Sequence, residues 1–247
     1  IENFHFSKTY TAFYAELLGQ LGWPDGPVLM IGNDVQRDMI PADRLGLKTY
    51  FIGEESASNP GPEMGRGKLA DFRPWLESQN PSSMIPSFKS PDANTAILIS
   101  TPAALQTLSE SLTDKEWRRE PTQNDWAMIE IVCHLRDTDI EIHQEQLQLM
   151  LERDDAFLPR PDSSIWANER KYLNVDGPSA LAEFTVTRKG FSETVKELDD
   201  SFWHRKARHA IFGPTNFNEV MSFIADHDRS HVQQVWKTLK GVMGERV

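Results

Sequence analysis

His227 and His231 stand four residues apart in the run DHDRSHVQQ, which carries helical periodicity. At about 100° per residue, the two imidazoles fall within about 40° of each other on one helix face. That spacing lets two neutral imidazoles share one divalent ion. The run is not a metalloprotease motif, because Asp228 stands where HExxH needs its Glu base. A third ligand is needed. His134 lies in WAMIEIVCHLRDTD, among apolar residues, and alone it reads as a core histidine. Joined to the pair on another helix, it favours a three-histidine site of His134, His227 and His231. His143 follows nine residues later. On a regular helix that is about 180° around the axis, so His143 is not expected to face the same core. His204 and His209, in FWHRKARHA, read as surface or loop residues. Three imidazoles leave an ion with open positions, where it polarises a carbonyl or lowers the pKa of water or a thiol. Zinc, nickel, iron or copper suits such a set.

A second constellation lies near the start. In MIGNDVQRD, Asn33, Asp34 and Asp38 follow a short apolar run. Carboxylates at the C-terminal edge of a buried strand suit Mg²⁺. The competing reading makes Asp34 a helix cap and Asp38 a solvated residue, and spacing leaves both open. Cys133 is the single cysteine, set among Ile129, Ile131 and Val132, and reads as a buried structural thiol. Asp137 and Asp228 are candidates to orient ligand imidazoles, against a reading as solvated carboxylates. Trp126 is expected in the core, with a substrate platform as the other reading. Arg188 is expected in a salt bridge, with a clamp on a substrate carboxylate as the other reading.

These residues need elements to hold them. Apolar spacing predicts a helix over 10–22, a buried strand over 28–32, a helix over 33–46, a strand over 48–53 and a helix over 68–78. Strand–helix–strand with short links predicts a parallel βαβ unit. QNPSSMIPSFKSPDAN (79–94) has no periodicity and reads as a linker. Beyond it, helices are expected over 102–113, 124–153, 178–199 and 216–242, separated by Pro and Gly, which suggests a four-helix bundle. Asn124 and Asn216 are expected caps, the latter with Glu219 in a capping box. The fold expectation is therefore an α/β fragment over 1–78, a linker over 79–94 and an all-α four-helix bundle over 95–247, mainly α overall.

Net charge is −11 over 247 residues, which argues against a nucleic-acid surface. No apolar run approaches the roughly 20 residues needed to span a bilayer. The first residues lack a signal-peptide pattern, and one cysteine fits a reducing cytoplasm. A homodimer through exposed helix faces is a further expectation.

Two family resemblances sharpen this. VLMIGNDVQRDMIPADRLGLKTYFI resembles the fourth motif of haloacid-dehalogenase-like hydrolases, over about residues 6–78. The resemblance implies Asp34 and Asp38 as holders of Mg²⁺ and Lys8 as a phosphate-stabilising residue. The family's nucleophile is the first Asp of a DxD motif on a strand. No DxD follows a buried strand here, and DTD at 137–139 sits in a helical run. The resemblance thus implies either a nucleophile-bearing half upstream of Ile1 or a segment kept as scaffold. From NDWAMIEIVCHLRDTD to FGPTNFNEVMSFIADHDRSHVQQV, the chain resembles the DinB-like superfamily of four-helix bundles. The match includes Trp126, His134, Asp137, Phe184, Arg188, Gly213-Pro214-Thr215 and the HxxxH. It implies a divalent metal on His134, His227 and His231. Some relatives are transferases or isomerases that use low-molecular-weight thiols, so a small-molecule substrate and such a thiol are the expected partners; many members have no known activity, which leaves a non-catalytic metal-binding module as the other expectation.

Overall fold

The computed structural model describes residues 4–53, 65–123 and 125–244. The apolar run TAFYAELLGQ forms α1 (Thr11–Gln20), which buries Phe13, Tyr14 and Leu18. Strand β1 (Leu29–Gly32) pairs in parallel with β2 (Lys48–Ile52), from Leu29 opposite Lys48 to Gly32 opposite Phe51. The crossover is a π-helical turn (Val35–Met39) followed by α2 (Ile40–Leu45), so the strand–helix–strand unit is present. Gly46 ends α2 at φ 98°, in the left-handed region that an L side chain resists. A third parallel strand, β3 (Gly65–Gly67), extends the sheet beyond β2 and leads into α3 (Leu69–Ser78).

The bundle starts earlier than the periodicity predicts. Ser90 accepts a hydrogen bond from the Ala93 amide and caps α4 (Pro91–Ser109), whose first turn therefore lies inside the expected linker. The spacing predicts a start at 102, but Pro102 lies inside the helix. A proline there cannot donate to the carbonyl four residues back, that of Leu98. Nη1 of Arg188 donates to that carbonyl instead, at 3.1 Å.

A short α5 (Asp114–Trp117) follows, then α6 (Met128–Thr138). The expected cap Asn124 lies outside the described residues. The Ala127 amide at this helix start donates to the Glu130 carboxylate at 2.9 Å. A π-helical turn (Asp139–His143) joins α6 to α7 (Gln144–Glu152) in one rod. Next come β4 (Ala156–Leu158), α8 (Trp166–Glu169) and α9 (Gly177–Lys196). Strand β5 (Lys206–His209) pairs in parallel with β4 and antiparallel with β6 (Gly213–Asn216). This second small sheet was not expected from the sequence. Helix α10 (Phe217–Met243) opens with the expected capping box, in which the Glu219 amide donates to Asn216 at 3.0 Å.

Helices α4 and α6 each pack against both α9 and α10, which places α4 and α6 on a diagonal of the bundle. One hydrophobic core runs through it and takes in Phe13 and Leu18 of α1, Leu45 of α2, Ile97 of α4, Phe184 of α9 and Val232 of α10. No helix among the described residues is long and apolar enough to cross a membrane.

Candidate metal centre

Helices α6 and α10 bring His134, His227 and His231 together, with one possible ligand atom from each all within 4.8 Å of one another. The Nε2 atoms of His134 and His227 are 3.2 Å apart. Two imidazole nitrogens on one tetrahedral ion keep a similar separation, about 3.4 Å. Burial pushes the His134 pKa down to about 2, with the neighbouring imidazoles adding to the effect. Burial also lowers His227 to about 4, opposed by the Asp228 carboxylate. His231 is lowered by burial too, opposed by its bond to Gln234. The rings are thus uncharged near neutral pH, with lone pairs free for a cation. His231 Nδ1 lies 2.8 Å from Gln234 Oε1, which places the proton on Nδ1 and leaves Nε2 the ligand atom. Nδ1 of His134 and Nδ1 of His227 are buried with no hydrogen-bond partner. The residues present therefore fit a divalent ion.

Behind the histidines lies a buried guanidinium. All five donors of Arg188 are used. Nε and Nη2 bond the Asp139 carboxylate at 2.9 and 2.8 Å. Nη1 and Nη2 reach Asp228, the latter at 3.2 Å. The last donor goes to Leu98 O. Asp139 also accepts from His143 Nδ1 at 3.0 Å. Burial alone would raise the pKa of each carboxylate, but Arg188 outweighs it and both are held below the usual range. Two carboxylates and one guanidinium carry one net negative charge beside His227, a field that favours a cation.

The imidazoles open onto a cavity of about 450 Å³ walled by Trp126, Arg160 and Ser163. The Trp126 ring lies parallel to His231, 3° between planes, with centroids 6.0 Å apart. A smaller cavity of about 190 Å³ also borders His227, lined by His143, Arg160, His209 and Phe223.

The model of the DinB superfamily matches residues 97–235, more than half of the chain. The chain belongs to the DinB superfamily. Its fold resembles that of YfiT from Bacillus subtilis, described as a probable metal-dependent hydrolase with an unusual four-helix bundle topology. The likeness has a TM-score of 0.56 at 17% identity and covers 62% of this chain and 88% of that one. No curated protein matches the sequence. Neither finding supports the haloacid-dehalogenase resemblance of residues 6–78.

In this DinB-superfamily chain several side chains sit where spacing did not put them. His143 is buried and its ring centroid is 5.7 Å from that of His227. The expectation that it faces away assumed a regular helix. The π-helical turn at Asp139–His143 absorbs one extra residue and rotates His143 back toward the site. His209 is buried rather than at the surface, because β5 pairs inside the second sheet, while His204 is exposed as expected. Asp137 does not orient His134. Its carboxylate accepts from Arg136, Arg170 and Tyr172, each at 2.7 Å. Asp228 is fully buried, and its Oδ1 is 3.9 Å from His227 Nδ1, an electrostatic contact too long for a hydrogen bond. Trp126 is only partly buried and forms a wall of the site. Cys133 is fully buried, as expected, and burial pushes its thiol up to about 12.

The N-terminal constellation is arranged differently from the expected Mg²⁺ pair. Asp34 caps the first π-helical turn, accepting from the Gln36 and Arg37 amides at 2.9 and 3.0 Å. Asp38 is buried rather than solvated, and accepts from the Asn33 and Asp34 amides at 3.3 and 3.2 Å. Gly32 permits this, since a Cβ there would run into the Asp38 side chain. Lys8 Nζ lies 3.6 Å from Asp38 Oδ1, so Lys8 and Asp38 do meet.

Proposed function

We propose that this chain is a divalent-metal-dependent enzyme acting on a small molecule, and that its reaction transfers a group to a low-molecular-weight thiol. The observation that carries this reading is the set of uncharged imidazoles of His134, His227 and His231 converging beside an open cavity. A zinc, nickel or iron ion held there supplies a Lewis acid that polarises a carbonyl and makes a thiol more acidic. The chain's own residues do the rest. Cys133 is the single cysteine and its buried thiol stays protonated, so the reacting thiol comes from solution. His143 bonds Asp139 through Nδ1 and lines the smaller cavity that also borders His227, which makes its Nε2 the proton acceptor for a thiol that reaches the site from that side. Trp126 covers one side of the His231 ring and limits water there.

The description of the Bacillus subtilis protein supports a second reading, in which water replaces the thiol and the reaction is hydrolysis. A third concerns residues 6–78. The parallel β1–α2–β2 unit with Asp38 beside the end of β1 suits half of a haloacid-dehalogenase-type site, its nucleophile supplied by another segment. There Mg²⁺ would have to displace Lys8 from Asp38, which a magnesium titration of wild type against Lys8→Met reads directly.

Elemental analysis of protein purified without metal-affinity resin tests the leading reading. About one transition metal ion per chain is expected in wild type and none in His231→Ala. Assays of the loaded protein with and without a small thiol then separate transfer from hydrolysis. Wild type that stays metal-free after reconstitution overturns both.

A further inference from the structure

Arg160 borders both cavities of the site. It sits in the loop after β4 between Pro159 and Pro161, whose rings restrict the backbone on either side. Gln146 Nε2 of α7 donates to Pro159 O at 2.8 Å and ties the loop down. Nη1 of Arg160 is buried with no hydrogen-bond partner, and the guanidinium forms no ion pair among the described residues. Its acidic neighbour Asp162, which also lines the larger cavity, attracts it without forming an ion pair, and Asp162 Oδ1 accepts from Ser164 N at 3.0 Å and Ser164 Oγ at 2.6 Å. The contrast with Arg188, whose five donors all have acceptors, is direct. A buried guanidinium N–H without an acceptor is costly unless a ligand supplies one.

We infer that Arg160 is the anion-recognition residue of this site and that the substrate carries a carboxylate, which Arg160 holds beside His227. This rests on reading the site as that of an enzyme, and it names the substrate class. Arg160 is the single Lys or Arg lining either cavity among the described residues. One planar fork with one positive charge matches a carboxylate through two parallel bonds. A phosphate dianion would leave charge and oxygens unpaired against walls that include Phe212, Phe223 and Ile224.

The test is a titration of the full chain with ¹³C-labelled acetate followed by NMR, on zinc-loaded and metal-free protein, with inorganic phosphate as the comparison. Wild type is expected to bind acetate in both forms and more tightly than phosphate. Arg160→Gln should lose roughly ten- to hundredfold in acetate affinity, as when a charge-assisted bond is removed, with zinc content unchanged. Arg160→Lys, which keeps the charge but not the fork, should fall between. Should the Gln variant fail to fold by circular dichroism, the Lys variant carries the same comparison. Equal acetate binding in wild type and variant, no acetate binding in wild type, or tighter phosphate binding overturns the inference. If wild type takes up no zinc, the metal reading fails, and the metal-free titration still decides Arg160.

Discussion

Gln234 lies three residues beyond His231 on α10, and its side-chain oxygen faces the imidazole Nδ1 at 2.8 Å. That contact selects one tautomer and holds the ring, the role outer partners play around metal-binding histidines. His134 and His227 have no such partner, so Gln234 carries the orientation of the group. Replacing Gln234 by Leu keeps the bulk and removes the acceptor. A 10- to 100-fold loss of metal affinity is expected, of the order found when such partners are removed. A competitive chelator titration measures it, and unchanged affinity would show that packing alone orients His231. The same reasoning separates Arg160 from Arg188. Both are largely enclosed, but Arg188 has spent every donor inside the bundle, and Arg160 has donors left for a ligand.

Arg188 joins all four long members of the bundle. It projects from α9, bonds Asp139 in the turn between α6 and α7, bonds Asp228 on α10 and caps the Leu98 carbonyl of α4. The last bond explains how α4 runs through Pro102, since the carbonyl that the proline leaves empty finds another donor. Arg188→Met would strand two buried carboxylates and one carbonyl together. Breaking a buried ion pair from one side costs about 3–5 kcal/mol. A drop of that size in unfolding free energy is expected from the urea midpoint, and a change below about 1 kcal/mol would mean that solvent reaches the carboxylates. The π-helical turn belongs to the same assembly. It places Asp139 for Arg188 and His143 for the site within one span of five residues.

Stability of the molecule as a whole should depend on acid through these carboxylates. Asp139 is held below the usual carboxylate range because Arg188 and His143 outweigh its burial. Asp137 is likewise held low, with bonds from Arg136, Tyr172 and Arg170 outweighing burial. A group whose pKa is lower in the folded state stabilises the fold above its unfolded pKa, about 3.9 for Asp, and loses that contribution as pH falls through the folded value. Burial holds His134 and His227 below the unfolded His value of about 6.5, so they too favour the unfolded state as pH falls below it. Thermal unfolding should therefore be flat only above about pH 6.5, decline below it, and fall more steeply below about pH 4. Asp137→Asn should be less stable than wild type at neutral pH, and the gap should close as pH drops. A constant gap across that range would show that Asp137 contributes by shape and not by charge.

Much of this was readable along the chain. The His227–His231 pair follows from helix geometry inside one element, and the Asn216–Glu219 capping box from local hydrogen-bond chemistry. Helices 178–199 and 216–242 showed their period and lie at Gly177–Lys196 and Phe217–Met243. The start of α4 was hidden, because Pro102 inside a helix is tolerated through a donor on a distant helix. His143 was hidden because a π-helical turn changes the angle that spacing converts into a face. Arg160 and His209 come to the site through loops and through the pairing of β4 with β5, whose partners lie far apart in the chain. Spacing within one helix is set by its own backbone, so it can be read from the residues alone. Which buried donor meets which acceptor is set by how elements pack, and that appears only when the chain is folded.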